Sequence, residues 1–155
     1  MRITVAAIGR LGRTPETDLA TDWTERATLH GRPVGIGPVE ILEVESRKPG
    51  KPAEGEALMT AAGTGAFLIA CDEHGTAMAS RDFAALIASL RDRGERRLVF
   101  LIGGADGLSD KARSAAGRHL AFGPQTWPHA LARAMLAEQI YRAVTILAGS
   151  PYHRD

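Results

Sequence analysis

The chain has 155 residues, 45% of them hydrophobic and 24% charged, a mix that excludes a long disordered tail and a collagen-like or low-complexity polymer. Nineteen basic residues against eighteen acidic give a net charge of +1, so bulk charge announces no nucleic-acid partner. The single cysteine, Cys71, forbids an internal disulfide and a multi-thiolate metal site, and no stretch approaches the ~20 apolar residues of a membrane span. The apolar run after Met1 is too short for a signal-peptide core, which points to the cytoplasm. Among the basic residues 16 are Arg and only 3 Lys. That bias suits planar contacts to phosphate and bases, and a GC-rich genome produces it equally well.

Strand and helix patterns alternate along the chain. Ile3 to Ile8 reads as a short apolar strand ended by Gly9. Thr14 caps a helix with Pro15 in its first turn, running to about Leu29. Val39 to Glu45 reads as a strand with one wetter face, followed by a basic loop, Ser46 to Pro52. A short helix spans Ala53 to Ala62, and Ala66 to Asp72 is an apolar run with the look of a buried parallel strand. The next helix begins at Ser80 and stops at Gly94. A second buried strand, Leu98 to Ile102, runs straight into Gly103-Gly104-Ala105-Asp106-Gly107. A short helix follows Ser109, a weak strand lies near His119 to Phe122, and Pro128 opens a last helix to about Ala148. The class is α/β, a mostly parallel sheet with helices on both faces, in one domain over residues 1–155.

The last helix carries Leu131, Met135, Leu136, Ile140, Val144 and Leu147 in a stripe widened by five alanines, with Glu138 and Arg142 spaced to pair. It fits a core helix and a helix shared with a subunit interface about equally. The glycine-rich turn at 103–107 sits where an open α/β sheet binds ligands, yet it matches neither a dinucleotide fingerprint nor a P-loop. As a bare pattern it serves a structural turn as well as a site. The five histidines show no metal spacing, and no nucleophile elbow is present. Cys71 reads as a small buried hydrophobe rather than a nucleophile. The terminal Tyr152-His153-Arg154 combines a stacking ring, an imidazole and a guanidinium behind Pro151, a set suited to an RNA base with its phosphate. A tail whose Tyr merely fills a groove is the competing reading.

Taken together and in order, four segments resemble one family. They are Leu101-Ile102-Gly103-Gly104-Ala105-Asp106-Gly107-Leu108, the Thr126-Trp127-Pro128-His129 junction, the Arg142-bearing helix and the terminal Pro151-Tyr152-His153-Arg154-Asp155. The chain is similar, over its whole length, to the SPOUT-class methyltransferases that modify N3 of a pseudouridine in large-subunit ribosomal RNA. Ala105-Asp106 departs from the family's frequent Pro-Glu, and Phe122 to Thr126 departs from its frequent Leu-Ser-x-Leu-Thr. Ala130 replaces a Pro, and Ser150 stands where His is frequent.

The resemblance implies an α/β trefoil knot, a homodimer and S-adenosyl-L-methionine as methyl donor, with no metal. It implies a donor pocket made by Cys71, by Gly103 and Gly104, and by Phe122, Gly123, Pro124, Gln125, Thr126 and Trp127. Its substrate would be 23S rRNA within the 70S ribosome. Loss of the N3 proton needs an acceptor that works near pH 7, which favours His153 over its competitor His129. Arg142 or Arg154 would stabilise charge developing on the base oxygens, and Tyr152 would stack on the base. Two other readings fit the same residues: a SPOUT methyltransferase with a different RNA target, and a non-enzymatic, ribosome-associated RNA-binding α/β dimer.

Overall fold

A computed structural model describes residues 1–153, so Arg154 and Asp155 lie outside the described residues. Five strands, β1 (Arg2–Ile8), β2 (Val39–Val44), β3 (Phe67–Ala77), β4 (Arg97–Ile102) and β5 (Arg118–Ala121), form one sheet in the order β2-β1-β4-β3-β5. All four pairings are parallel. The helices are α1 (Pro15–Gly31), α2 (Lys51–Ala62), α3 (Ser80–Asp92), α4 (Asp110–Ala115) and α5 (His129–Leu147).

The period of two along the central strands divides the core into two layers. Ile3, Val5 and Ala7 of β1, with Leu98, Phe100 and Ile102 of β4, pack against Ala27 of α1, Ile87 of α3 and Ile140 of α5. The alternate residues, Ala6, Ile8, Val99 and Leu101, pack against Leu58 of α2 and Ala112 of α4. Covering both faces explains why these strands read as unbroken apolar runs. The mostly parallel sheet with helices on both faces is therefore the observed architecture.

Local chemistry sets the helix ends. Thr14 Oγ1 accepts the Thr17 N–H at 3.2 Å, and Pro15 occupies the first turn where its missing N–H is harmless. Ser109 caps α4 in the same way through the Ala112 N–H, also at 3.2 Å. Helix α5 is mainly a core helix: Leu136, Ala137, Ile140, Ala143 and Val144 are inaccessible to solvent. Its alanines bring it close to α1, where Ala20, Ala134 and Ala137 form a small cluster of their own.

Strand β3 is longer than its apolar run suggests. Leu120 of β5 is the register partner of both Cys71 and Thr76, so Asp72 to Gly75 leave the ladder as an excursion. Gly75 closes its neck: a Cβ there would lie 2.8 Å from the backbone of His119 and Leu120.

Candidate functional site

Because every strand is parallel, all the loops that follow strands emerge at one end of the sheet. There the segments after β3, β4 and β5 enclose a cavity of about 380 Å³, within the range of small-molecule sites.

One wall is the turn after β4. Gly107 N–H donates to the Gly104 carbonyl at 3.0 Å, folding the segment back on itself. A Cβ at Gly103 would stand 2.4 Å from the Gly107 carbonyl carbon, so only glycine allows this closure. A Cβ at Gly104 would meet the Glu54 carboxylate at 2.7 Å. The glycines thus serve first to fold the turn tightly, and the tight turn presents backbone to the cavity.

The second wall is the β3 excursion. Cys71 opens it, and burial, aided by the neighbouring Asp72, pushes its thiol up to about 12. A thiol held neutral in this way is no nucleophile at physiological pH. The Asp72 side chain, only 6% exposed, accepts from the His74 N–H at 2.8 Å and pairs with Arg113 Nε of α4 at 3.0 Å. The excursion is thereby tied to α4. Glu73 and His74 face the cavity on its rim.

The third wall is the loop after β5. Phe122, Gly123, Gln125, Thr126 and Trp127 line the cavity, whereas Pro124 sits in the loop but off the wall. Trp127 Nε1 donates to the Phe122 carbonyl at 3.3 Å and closes the loop. Thr126 Oγ1 reaches Glu73 Oε2 at 3.5 Å, linking the second and third walls. His129 and Ala132, from the first turn of α5, complete the floor.

Eight of the nine residues expected to hold a donor therefore meet in one cavity. Sequence reasoning missed Lys51, Asp72, Glu73, His74 and Arg113, which also line it. An isolated glycine, Gly75, at the end of a strand pattern was the available signal for the excursion.

The residues expected to act on the acceptor lie elsewhere. Arg142 is ten positions beyond Ala132 on α5, about 15 Å along the helix axis. There Arg142 pairs with Glu138 at 2.6 Å, and its guanidinium lies 5.1 Å above the Tyr152 ring. Tyr152 Oη donates to Glu138 at 3.0 Å, and its ring packs 4.7 Å from Tyr141 and 5.8 Å from Trp23. The Glu138 hydrogen bond holds the Arg142 guanidinium above its usual range, and burial raises the Tyr152 phenol. The tail is thus folded onto α1 and α5, with Tyr152 filling a groove rather than standing free. His153 Nδ1 is buried without a hydrogen-bond partner among the described residues.

An all-parallel sheet with its ligand cavity at the carboxyl ends of β3, β4 and β5, and α5 packed back against α1, is the frame of an α/β ligand-binding enzyme. The family model described as "Predicted SPOUT methyltransferase" matches residues 1–153, and the chain belongs to the SPOUT methyltransferase family. Among its relatives is a protein of Phenylobacterium zucineum (strain HLK1) called "Ribosomal RNA large subunit methyltransferase H", 67% identical over 155 residues and covering all of both chains. A protein of the same name from Caulobacter sp. (strain K31) is 64% identical over the same full length. A solved structure, of a probable methyltransferase from Bordetella pertussis Tohama I, superposes with a TM-score of 0.51 at 18% identity. It covers 92% of this chain and 96% of its own, a likeness of fold.

Proposed function

We propose that this protein transfers a methyl group from S-adenosyl-L-methionine to N3 of a pseudouridine in 23S rRNA, in the cytoplasm, on the assembled 70S ribosome. The observation that carries the reading is the three-walled cavity, which gathers Cys71, Gly103, Gly104 and the 122–127 loop at one end of the sheet. Its size and its mixture of glycine backbone, neutral thiol and aromatic edge suit an adenosyl group, and the carboxylates of Asp106 and Glu73 suit a cationic centre. When bound, the donor supplies a sulfonium-activated methyl and leaves as a neutral thioether. The chain supplies position, where most of the acceleration of such a transfer arises: Thr126–Glu73 links the second and third walls, and Asp72–Arg113 ties the second to α4.

His153 takes the N3 proton. Arg142 and Arg154 offset negative charge on the base oxygens. Tyr152, engaged with Glu138, sets the direction of the tail instead of stacking on the base. Since the tail cluster stands about 15 Å along α5 from the cavity of its own chain, a homodimer in which one copy's tail serves the other's cavity brings the two halves together.

The test is transfer of labelled methyl to 70S ribosomes and to naked 23S rRNA, with donor binding followed by calorimetry. Incorporation at one pseudouridine of the ribosome, with micromolar donor binding, is expected. Donor binding with label going to another RNA would replace the substrate. No donor binding at millimolar concentration would leave an RNA-binding module.

A further inference from the structure

Arg133 is the most thoroughly buried charged residue of the core, 1% exposed, and the donor cavity makes no use of it. From the second turn of α5 its guanidinium donates to the carbonyls of Ile8, at the end of β1, and of Gly9 at 2.9 Å. It also pairs with Glu43 of β2 at 3.3 Å. Glu43 in turn accepts the Leu11 N–H at 3.0 Å. The segment after β1 is therefore fastened at Gly9 and again at Leu11. A desolvated guanidinium is an expensive fastener, and burial lowers its pKa, so the position it fixes calls for an explanation beyond packing.

The fastening aims outward. Arg10 and Arg13 lie in the segment so held and are exposed. The neighbouring segment after β2 presents Arg47 and Lys48, also exposed, and leads into Lys51, which lines the mouth of the donor cavity. Parallel topology puts both segments at the same end of the sheet as that cavity. Against these five cations the same two segments hold one exposed acid, Glu45. Its pair with Arg10 at 3.1 Å leaves the two side chains 72% and 62% exposed, so water screens it heavily and a phosphate can displace it.

We propose that the segments 9–13 and 45–51 form the edge on which the phosphates of the RNA substrate dock, preorganised by the Arg133–Glu43 pair. The inference rests on the reading of the substrate as ribosomal RNA and assigns its backbone a surface. A local edge of this kind gives a nearly neutral protein a route onto RNA without binding it indiscriminately.

Equilibrium binding to fluorescently labelled 70S ribosomes tests this independently of catalysis. The full chain is compared with the variant carrying Arg10→Ala, Arg13→Ala, Arg47→Ala and Lys48→Ala, all on the surface and without a structural role in the core. The variant is expected to bind about tenfold more weakly or worse at moderate salt. Its dependence of log K on log salt should be shallower by about 3, as four phosphate contacts require. Donor affinity should be unchanged. Glu45→Gln, which frees Arg10, should tighten RNA binding. Equal RNA affinity and equal salt dependence in wild type and quadruple variant would overturn the docking edge. If both losses occur while wild type methylates no ribosomal RNA, the edge stands and the proposed reaction falls.

Discussion

Helix α5 serves two regions of the molecule, and they are built in opposite ways. At its first turn, His129 and Ala132 meet a cavity whose walls are glycine backbone and short loops. Ten positions on, Glu138, Arg142, Tyr141 and Tyr152 interlock with Trp23 through side chains alone. The turn after β4 depends on the close backbone approach of Gly103 to Gly107, whereas in the tail cluster each member is placed by another member's side chain.

The largest expected effect falls at the tail end. His153→Ala should lower kcat by about 100- to 10,000-fold, the usual contribution of a positioned proton acceptor. Calorimetry should find donor affinity unchanged, since the residue lies outside the cavity. A variant that still turns over at the wild-type rate would shift the role to His129 at the pocket end and dissolve the division between the two regions.

At the pocket end, Gly103→Ala sets a Cβ 2.4 Å from the Gly107 carbonyl carbon, where backbone must move. Overpacking of that kind costs about 1–3 kcal/mol, and the turn it opens should weaken donor binding by about tenfold or more. Gly104→Ala meets only the Glu54 carboxylate, which can swing aside, so its effect should be smaller. Equal losses in the two variants would show that the wall is not held by the approach of Gly103 to Gly107.

These two regions are not equally legible in the sequence. The strands β1 and β4 announce themselves as apolar runs because both faces are covered, and Thr14-Pro15 announces α1 by local capping chemistry. The loops that line the cavity are legible through the glycine turn and the family likeness. The excursion at Asp72 to Gly75 was hidden because a polar run after an apolar strand reads as the strand's end, while its actual fate is set by Arg113 some forty residues on. Arg133 was missed for the same reason. In an alanine-rich helix it looks like a solvated cation, and only the partners Ile8, Gly9 and Glu43, distant in sequence, reveal a buried one. In sequence, Tyr152 fits a base-stacking tail and a groove-filling one equally, and the groove between α1 and α5 that holds it is a product of tertiary packing.

The anchoring of the tail can be loosened without removing a ring. Tyr152→Phe keeps the packing against Trp23 and Tyr141 and deletes the hydrogen bond to Glu138, a change worth about 1 kcal/mol of stability. If the tail is aimed by this bond, KM for the ribosome and kcat should both worsen by several-fold while donor affinity holds. An enzyme with unchanged kinetics and only a lower Tm would reduce Tyr152 to packing.

The smallest effect expected near neutral pH concerns Cys71, and its smallness is informative. In the fold burial pushes the thiol from 9.0 up to about 12, so both folded and unfolded chains keep the proton up to about pH 8. Above pH 9 the unfolded chain releases it while the folded chain retains it, so the unfolded state binds fewer protons and stability falls as pH rises toward 12. Thermal unfolding of wild type and Cys71→Ala should therefore differ by a constant amount between pH 6 and 8. The wild-type advantage should shrink only above pH 9, whereas Tyr and Lys titrations common to both chains cancel. A difference that already changes between pH 7 and 8 would mean that the thiolate is accessible in the fold. The pocket end would then contain a charged sulfur beside Asp72, and the neutral thiol assigned to its wall would no longer describe it.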